Sequence, residues 1–497
     1  MKTRLKKIIW TVLLCVLVLS TILALFQWYY VSSVQQSLAG IRRAMREQGF
    51  KTDLADFNFS ADAATRARAV ALMVFHNPLP MDSDGHQFEL LPAMSNDTAT
   101  VIWRLNPLNN GTNILQWSDL HAMLDTNRGS LDAACHAALS GPIRCDADES
   151  RGTDISGSQS TSLLYLSRRL NLRTLLELHD GNPDAAWTNL LAATRLVTAW
   201  EPAPVGYSQC FHFTMARAAF AAAWQVLQKG NWPDEQLAAL QQEWESANFF
   251  TNMMETAAIA YTNDVYACQH LPLPYPLAGF SVSTLVGQTL IDPANALAQL
   301  KDRVDDLKDC VPGVIYRHHG VFVDEMGLLL LFQKRALELR RAIQATNWAE
   351  MRALPGVINP ALYSSSYPPA EDSIQNDHGL DIALPAFMAD AEARRRVLIT
   401  ALALERYHGK HGVYPATLAP LAPEFLKTVP VDFMDSQPLR YHLTEDGHFV
   451  LYSVGLDCVD DGGILLDPTG PQWIRDFWQN PTAPAKMDIV WPRPAAP

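Results

Sequence analysis

The hydrophobic pattern is most pronounced at the N-terminus. Ile8 to Phe26 (IIWTVLLCVLVLSTILALF) carries no charged side chain, and the next charge is Arg42. An apolar helix of about 20 residues matches the thickness of a bilayer core. A helix is required there because lipid offers the backbone no hydrogen-bond partners. Trp10 lies at one end and Trp28, Tyr29 and Tyr30 at the other, where amphipathic rings settle at the two interfaces. Residues 8–30 are therefore predicted as a transmembrane anchor. The run is longer than the core of a cleaved signal and ends in bulky aromatics instead of a small-residue cleavage site, which predicts that it stays uncleaved. Lys2, Arg4, Lys6 and Lys7 precede it. Positive flanks stay cytoplasmic, so residues 1–7 are expected inside and the rest outside. Arg42, Arg43 and Arg46 oppose that bias from farther along the chain.

Beyond the anchor the apolar positions mostly recur at helical spacing. Ser33 to Glu47 reads as a helical stalk and Ala61 to Phe75 as a second helix. Residues 78–160 are rich in Pro, Asn, Asp and Gly and read as loop, with room for short strands. Helical periodicity returns at 162–178, 184–199, 207–229, 236–246, 249–267 and 323–344. His179-Asp180-Gly181 is a stop signal, with Pro183 near the start of the next helix. Leu176 to Trp200 resembles a tetratricopeptide-type helical hairpin, but no period of about 34 residues repeats along the chain. Residues 31–353 are thus a mostly helical ectodomain. Residues 354–385, opening with LPGVINPALYSSSYPPAED, read as a Pro/Ser-rich linker.

The pattern changes once more near the C-terminus. Ala386 to Lys410 is a helix with Val397, Ala401, Leu404 and Tyr407/His408 on one face. Leu439 to Leu443 and His448 to Val454 read as strands joined at Glu445-Asp446-Gly447, a hairpin turn. The predicted class is mainly α, with a small α+β module holding an antiparallel sheet at 386–480 and a Pro-rich tail at 481–497.

Six strings of this region occur in a telling order: Leu404-Glu405-Arg406-Tyr407, His411-Gly412-Val413-Tyr414-Pro415, Val429-Pro430-Val431-Asp432, Pro438-Leu439-Arg440-Tyr441, Leu451-Tyr452-Ser453-Val454-Gly455, and Asp457 with Asp460-Asp461-Gly462-Gly463. Residues 386–466 thereby resemble the C-terminal domain of type II secretion major pseudopilins. As a whole the chain resembles large, membrane-anchored bacterial proteins that end in this module. The resemblance implies a long helix packed on a small antiparallel sheet and a C-terminal loop that binds calcium. It points to Asp457 and Asp461 most directly, with Asp460 between them. Calcium takes about six to eight oxygens from carboxylates and backbone carbonyls, and three carboxylates this close in sequence repel unless something neutralises them. The bland reading of the same loop is a solvated acidic turn. Two departures stand out. The N-terminus lacks the Gly-Phe-Thr-x-x-Glu processing pattern, and Asp432-Phe433-Met434-Asp435-Ser436 replaces the family's Asp-Pro-aromatic turn.

Charge and chemistry narrow the reading further. The chain has 39 Lys+Arg and 52 Asp+Glu, a net charge of −13. Setting aside the four basic residues before the anchor leaves 35 against 52, or −17. Such acidity argues against a nucleic-acid partner. Of the seven cysteines, Cys15 falls in the anchor. The other six lie in a disulfide-permissive compartment, and Cys135 with Cys145 is the first pair expected to close. Arg317-His318-His319 with Asp324-Glu325 is the most enzyme-like cluster, yet adjacent His residues do not share a helix face as an i, i+4 pair does. It reads as a polar turn capping the helix from Val323. No Ser-hydrolase elbow, P-loop, dinucleotide fingerprint or zincin motif occurs.

The functional expectation is a non-enzymatic protein of the bacterial cytoplasmic (inner) membrane, single-pass, binding or organising an envelope or secretion-related protein partner. The alternative is an extracytoplasmic hydrolase with its site in 78–160 or near His318/His319.

Overall fold

The computed structural model describes residues 2–53, 56–57, 62–77, 94–95, 98–106, 108–109, 114–144, 157–271, 301, 312–375, 378–463 and 488–494. It is mostly helical, with a small antiparallel three-stranded sheet near the C-terminus, as the sequence predicts. The chain divides into two compact units. The first comprises Met1–Asp56, Ala258–Lys334 and Ala361–His378; the second comprises Phe57–Ala257, Arg335–Pro360 and Gly379–Pro497.

The first unit is built on α1 (Lys2–Glu47), one unbroken helix. It is the one helix among the described residues long and apolar enough to cross a membrane. Its character changes along its length. Trp10, Phe26, Trp28 and Tyr29 are about 70% exposed, whereas Val34, Leu38 and Met45 are buried. The expected stalk is therefore part of a core. Phe50 meets Phe332 edge-on at 6.4 Å, and Phe332 stacks on Tyr261 at 5.1 Å. Arg42 pairs with Glu325 and Asp53, and Arg46 with Asp53 and Asp56.

In the second unit, α2 (Ala63–Leu72) is followed by two helices, α3 (Trp117–Asp125) and α4 (Arg128–Leu139). These lie inside the stretch expected to be loop. Their short apolar faces explain them: Trp117, Leu120 and Leu124 on α3, and Leu131, Ala134 and Ala138 on α4, are all buried. Gln116 and Asp119 form a capping box at the start of α3. Cys135 is buried on the inner face of α4, and Cys135, Cys210, Cys268 and Cys458 are free thiols. The expected Cys135 closure is not made, and Cys145 lies outside the described residues.

The helical hairpin forms as expected. α5 (Gly157–His179) stops at Gly181, whose φ of 79° suits a residue without Cβ. α6 (Pro183–Thr198) starts with Pro at its first turn. α7 (Gly206–Leu227) packs against both, and α8 (Asp234–Ser246) follows. Small residues let these helices approach closely: Ala186, Ala192 and Ala193 on α6 and Ala219 and Ala223 on α7 are wholly buried.

His212 of α7 sits among Trp200, Phe213 and Phe249. Its Nε2–H donates to the Val197 carbonyl at 2.8 Å, and burial pushes its pKa down to about 4. An unfolded His takes up a proton near pH 6.5. The stability this neutral core His supports is thus full above pH 6.5 and lost as pH falls toward 4, by up to about 3 kcal/mol. The variant His212→Gln keeps a donor without the titration. Urea unfolding at pH 7 and pH 4.5 should show a smaller drop for the variant than for the parent; equal drops would exclude this assignment.

After α9 (Met253–His270), which runs from one unit into the other, α10 (Val321–Gln344) does the same. α11 (Trp348–Ala353) is short. Its Trp348 is buried, donating from its backbone to Phe433 and from Nε1 to Leu456. The stretch read as a linker contains α12 (Pro368–Gln375) and buries Val357, Ala370 and Ile374. α13 (His378–His411) buries Val397, Ala401 and Leu404 of the predicted face, leaves Tyr407 and His408 half-buried, buries Leu398 and Leu402 as well, and ends before Gly412 with φ of 75°.

Strands β1–β6 are two-residue ladders at Met94–Ser95, Thr98–Ala99, Leu108–Asn109, Ile114–Leu115, Ile143–Arg144 and Trp200–Glu201. The main sheet joins β7 (Arg440–Leu443), β8 (Phe449–Ser453) and β9 (Ile489–Trp491), all antiparallel. Tyr441 faces Leu451, which faces Trp491. β9 comes from the stretch read as a Pro-rich tail. Its Ile-Val-Trp triplet is wholly buried, and Trp491 meets Phe220 edge-on at 5.3 Å. Arg493–Pro494 forms β10, parallel to β2.

Candidate functional site

The loop after β8 curls on itself. Gly455, Cys458, Gly462 and Gly463 all have positive φ, between 59° and 83°. A Cβ on Gly463 would stand 3.0 Å from the Tyr452 ring. This turn gathers the acidic residues of the sequence, but the structure gives them unequal partners.

Asp432 is the best satisfied. It is fully buried and accepts from the Met434 and Val454 backbones, from Ser453 Oγ at 2.7 Å and from Arg440 at 3.3 Å. Burial raises its pKa against these donors. Arg440 also forks onto Asp435, at 2.7 and 3.2 Å, and reaches Asp460 at 3.4 Å. The Asp435 carboxylate beside it holds the guanidinium above its usual range. Asp460 accepts from Tyr452 Oη at 2.9 Å and the Gly462 backbone at 3.0 Å. Burial opposes its ionisation, but these donors and Arg440 outweigh burial, and its pKa is lowered.

Asp457 and Asp461 fare differently. Asp457 accepts from the Val459 backbone, while burial and the neighbouring Asp461 raise its pKa. Asp461 Oδ2 is buried with no hydrogen-bond partner. A further carboxylate stands beside them. Asp488, just before β9, is 7% exposed; its Oδ2 accepts from the Gly463 backbone at 2.7 Å. Its Oδ1 is buried without a partner, and burial, with the Asp460 and Asp461 charges nearby, pushes its pKa up to about 6 against the pull of the Gly463 and Asp461 backbone N–H groups.

Two orphaned carboxylate oxygens at one loop are an anomaly, since buried polar atoms are normally paired. The expected trio of Asp457, Asp460 and Asp461 therefore separates. Asp460 is held by Tyr452, Gly462 and Arg440, and the unsatisfied oxygens belong to Asp461 and Asp488. Among the described residues no three metal-ligating side chains converge on one point. Calcium does not require that they do, because backbone carbonyls fill much of its shell. Periodicity and motif do not mark out Asp488; its one local signal is an acidic residue set directly against the apolar triplet Ile489-Val490-Trp491.

The other candidate cluster lies in the first unit. Tyr316 to Gly320 forms a π-helical turn continuous with α10, not a capping turn. Such turns insert one residue into the helical ladder and often mark function. Here it orients Tyr316 inward. Asp324 accepts from three hydroxyls, Tyr316 and Tyr363 at 2.8 Å and Ser365 at 2.5 Å. Burial raises the pKa of both phenols, so they stay protonated donors. Gly327 makes room for the Tyr363 ring, which a Cβ there would strike. Glu325 is taken by Arg42 at 2.5 Å and Gln269 at 3.3 Å. Cys268 is buried, and burial pushes its thiol up to about 11, far from nucleophilic thiolate character. His318 is exposed, and His319 stacks on Tyr30 at 4.5 Å. The cluster does not bring His318 or His319 to the carboxylates, and every described carboxylate in it has a structural partner. Most of 78–160, including Asp82-Ser83-Asp84-Gly85, lies outside the described residues apart from the elements above.

Comparison with protein-family models, curated proteins and solved structures found no match to this chain.

Proposed function

We propose that this chain is a single-pass protein of the bacterial cytoplasmic membrane, N-terminus inside, whose extracytoplasmic part binds or organises an envelope or secretion-related protein partner without catalysing a reaction. The observation that carries it is α1. One unbroken helix leaves its described apolar side chains exposed from Trp10 to Tyr29 and then becomes core at Val34, Leu38 and Met45. A soluble protein has no reason to expose so large an apolar face. Orientation is supported by the basic residues ahead of the span. Of the three basic residues that oppose it, Arg42 and Arg46 are held in ion pairs with Glu325, Asp53 and Asp56. A non-catalytic role is supported by the structural partners of Asp324 and Glu325, by the exposed position of His318 and by the stacking of His319 on Tyr30.

We further propose that the loop at 455–463 takes a calcium ion through Asp457, Asp461 and Asp488, with Asp460 retained by Arg440 and Tyr452. Bound there, calcium would neutralise carboxylates that otherwise repel.

The test is fractionation of cells expressing the full chain with a C-terminal tag. The chain should stay in membranes through alkaline carbonate extraction, and protease added to spheroplasts should remove the tag. Release by carbonate would refute the anchor, and a protected tag would refute the orientation.

A further inference from the structure

Three contacts order the segment from α1 to Phe50 against the segment that runs from the π-helical turn into α10, within the first unit. Tyr30 stacks on His319 at 4.5 Å, Arg42 pairs with Glu325 at 2.5 Å, and Phe50 meets Phe332 at 6.4 Å. The partners follow the same order along both segments, so the two run in the same general direction and meet at Tyr30–His319. Stepping back along the chain from His319 therefore moves toward the N-terminus of α1.

The depth of the preceding residues follows from helical rise. Ile315 and Val314 precede His319 by about one turn, just ahead of the π-helical stretch. Phe26 and Leu25 precede Tyr30 by the same amount. All four residues thus fall within about one turn of the Tyr30–His319 contact, toward the end of the apolar run. All four are exposed: Val314 48%, Ile315 60%, Leu25 61% and Phe26 68%. Among the described residues of the unit, nothing packs over these two adjacent β-branched side chains. Directly after them, at the level of Tyr29 and Tyr30, come exposed Arg317 and His318. Arg317 is braced by donating to the Leu271 carbonyl at 2.8 Å.

We propose that residues 312–320 form a second membrane contact beside the span. Val314 and Ile315 enter the outer edge of the hydrocarbon, while Arg317 and His318 face lipid phosphates. This rests on the membrane reading of α1. Apolar side chains dipping below a basic rim are the chemistry of an interfacial segment. A guanidinium also pairs directly with the phosphate oxygens that a headgroup presents. Tyr30, in the aromatic belt, sets the depth through His319. The π-helical turn at Tyr316–Gly320 thereby acquires a role: it points Tyr316 into the unit while leaving Arg317 and His318 outside.

The experiment uses the full chain in liposomes of phosphatidylethanolamine and phosphatidylglycerol. A benzophenone amino acid is placed singly at Leu19, Ile315 or Leu330, all at least half exposed. After irradiation, lipid adducts are read by mass spectrometry. Adducts are expected at Leu19 and Ile315, with none at Leu330, three to four turns farther along α10. An adduct at Leu19 without one at Ile315 would overturn the interfacial contact and leave the anchor standing. Absence at Leu19 would overturn the anchor and this inference with it. Equal adducts at Ile315 and Leu330 would mean unspecific adsorption and would also overturn it.

Discussion

Replacing Arg42 with Leu should lower the unfolding free energy of the detergent-solubilised chain by about 3 kcal/mol, the lower end of the cost of stripping one partner from a buried ion pair. The reason lies in what remains. Glu325 is buried, and without Arg42 its described donor is Gln269 at 3.3 Å. An ionised carboxylate left so poorly solvated is expensive, and the chain has no nearby cation at that carboxylate other than Arg42 among the described ion pairs. Removing both charges should undo most of the loss, because an apolar pair of similar volume fills the same space without desolvation. Arg42→Leu with Glu325→Leu is therefore expected within about 1 kcal/mol of the parent. Urea unfolding of the three proteins, followed by tryptophan fluorescence, reads the cycle. A loss for Arg42→Leu no larger than the roughly 0–1 kcal/mol of a surface pair would show that the contact does not bind α1 to α10.

That ion pair also illustrates what could be read in advance. Arg42 and Arg46 are visible in the sequence only as charges on the wrong side of an apolar run. Their partners, Glu325, Asp53 and Asp56, give them a structural purpose that periodicity does not reveal. Helices with long apolar faces were legible, because a helix is fixed by neighbours within four residues. The hairpin of α5 and α6, with Gly181 and Pro183 at its turn, and the Val397, Ala401 and Leu404 face of α13 belong to this class. So does the β7–β8 hairpin, whose turn at Gly447 has φ of 80°. α3 and α4 were obscured because they are short and flanked by loop-forming residues. β9 was hidden for another reason. Three residues among prolines do not make a strand by themselves, and Ile489 finds its partner only at Ser453, far back in the chain. Asp488 shares that difficulty. Its relation to Asp461 exists only after β9 has joined the sheet, so the candidate site was half legible: the loop and its glycines were, the strand that completes it was not.

Asp488 also carries the sharpest test of the calcium proposal, because the sign of its effect should reverse with the metal. In chelator the buried carboxylate stands near Asp460 and Asp461 with one oxygen unpaired, and burial already pushes its pKa up to about 6. Asp488→Asn keeps an acceptor for the Gly463 backbone and removes a charge. Metal-free protein should therefore gain about 1 kcal/mol from the change, less than a full pKa-based figure because the loop borders solvent. In 10 mM calcium the parent should gain instead. A site of the strength usual for extracellular modules, near 10⁻⁴–10⁻³ M, contributes roughly 1.4–2.7 kcal/mol by mass action. Asp488→Asn should lose most of that gain, and Asp461→Asn likewise. Asp460→Asn should keep most of it, since Asp460 is occupied by Tyr452, Gly462 and Arg440. Thermal melts with EDTA, calcium and magnesium distinguish the outcomes. If calcium moves no melting transition of the parent, the ion is excluded. If it moves the parent and Asp488→Asn equally, the ion binds the loop without the strand. Loss confined to Asp461→Asn and Asp488→Asn would tie the C-terminal strand to the loop through the metal, so that the last element of the sheet would be locked in place only where calcium is plentiful.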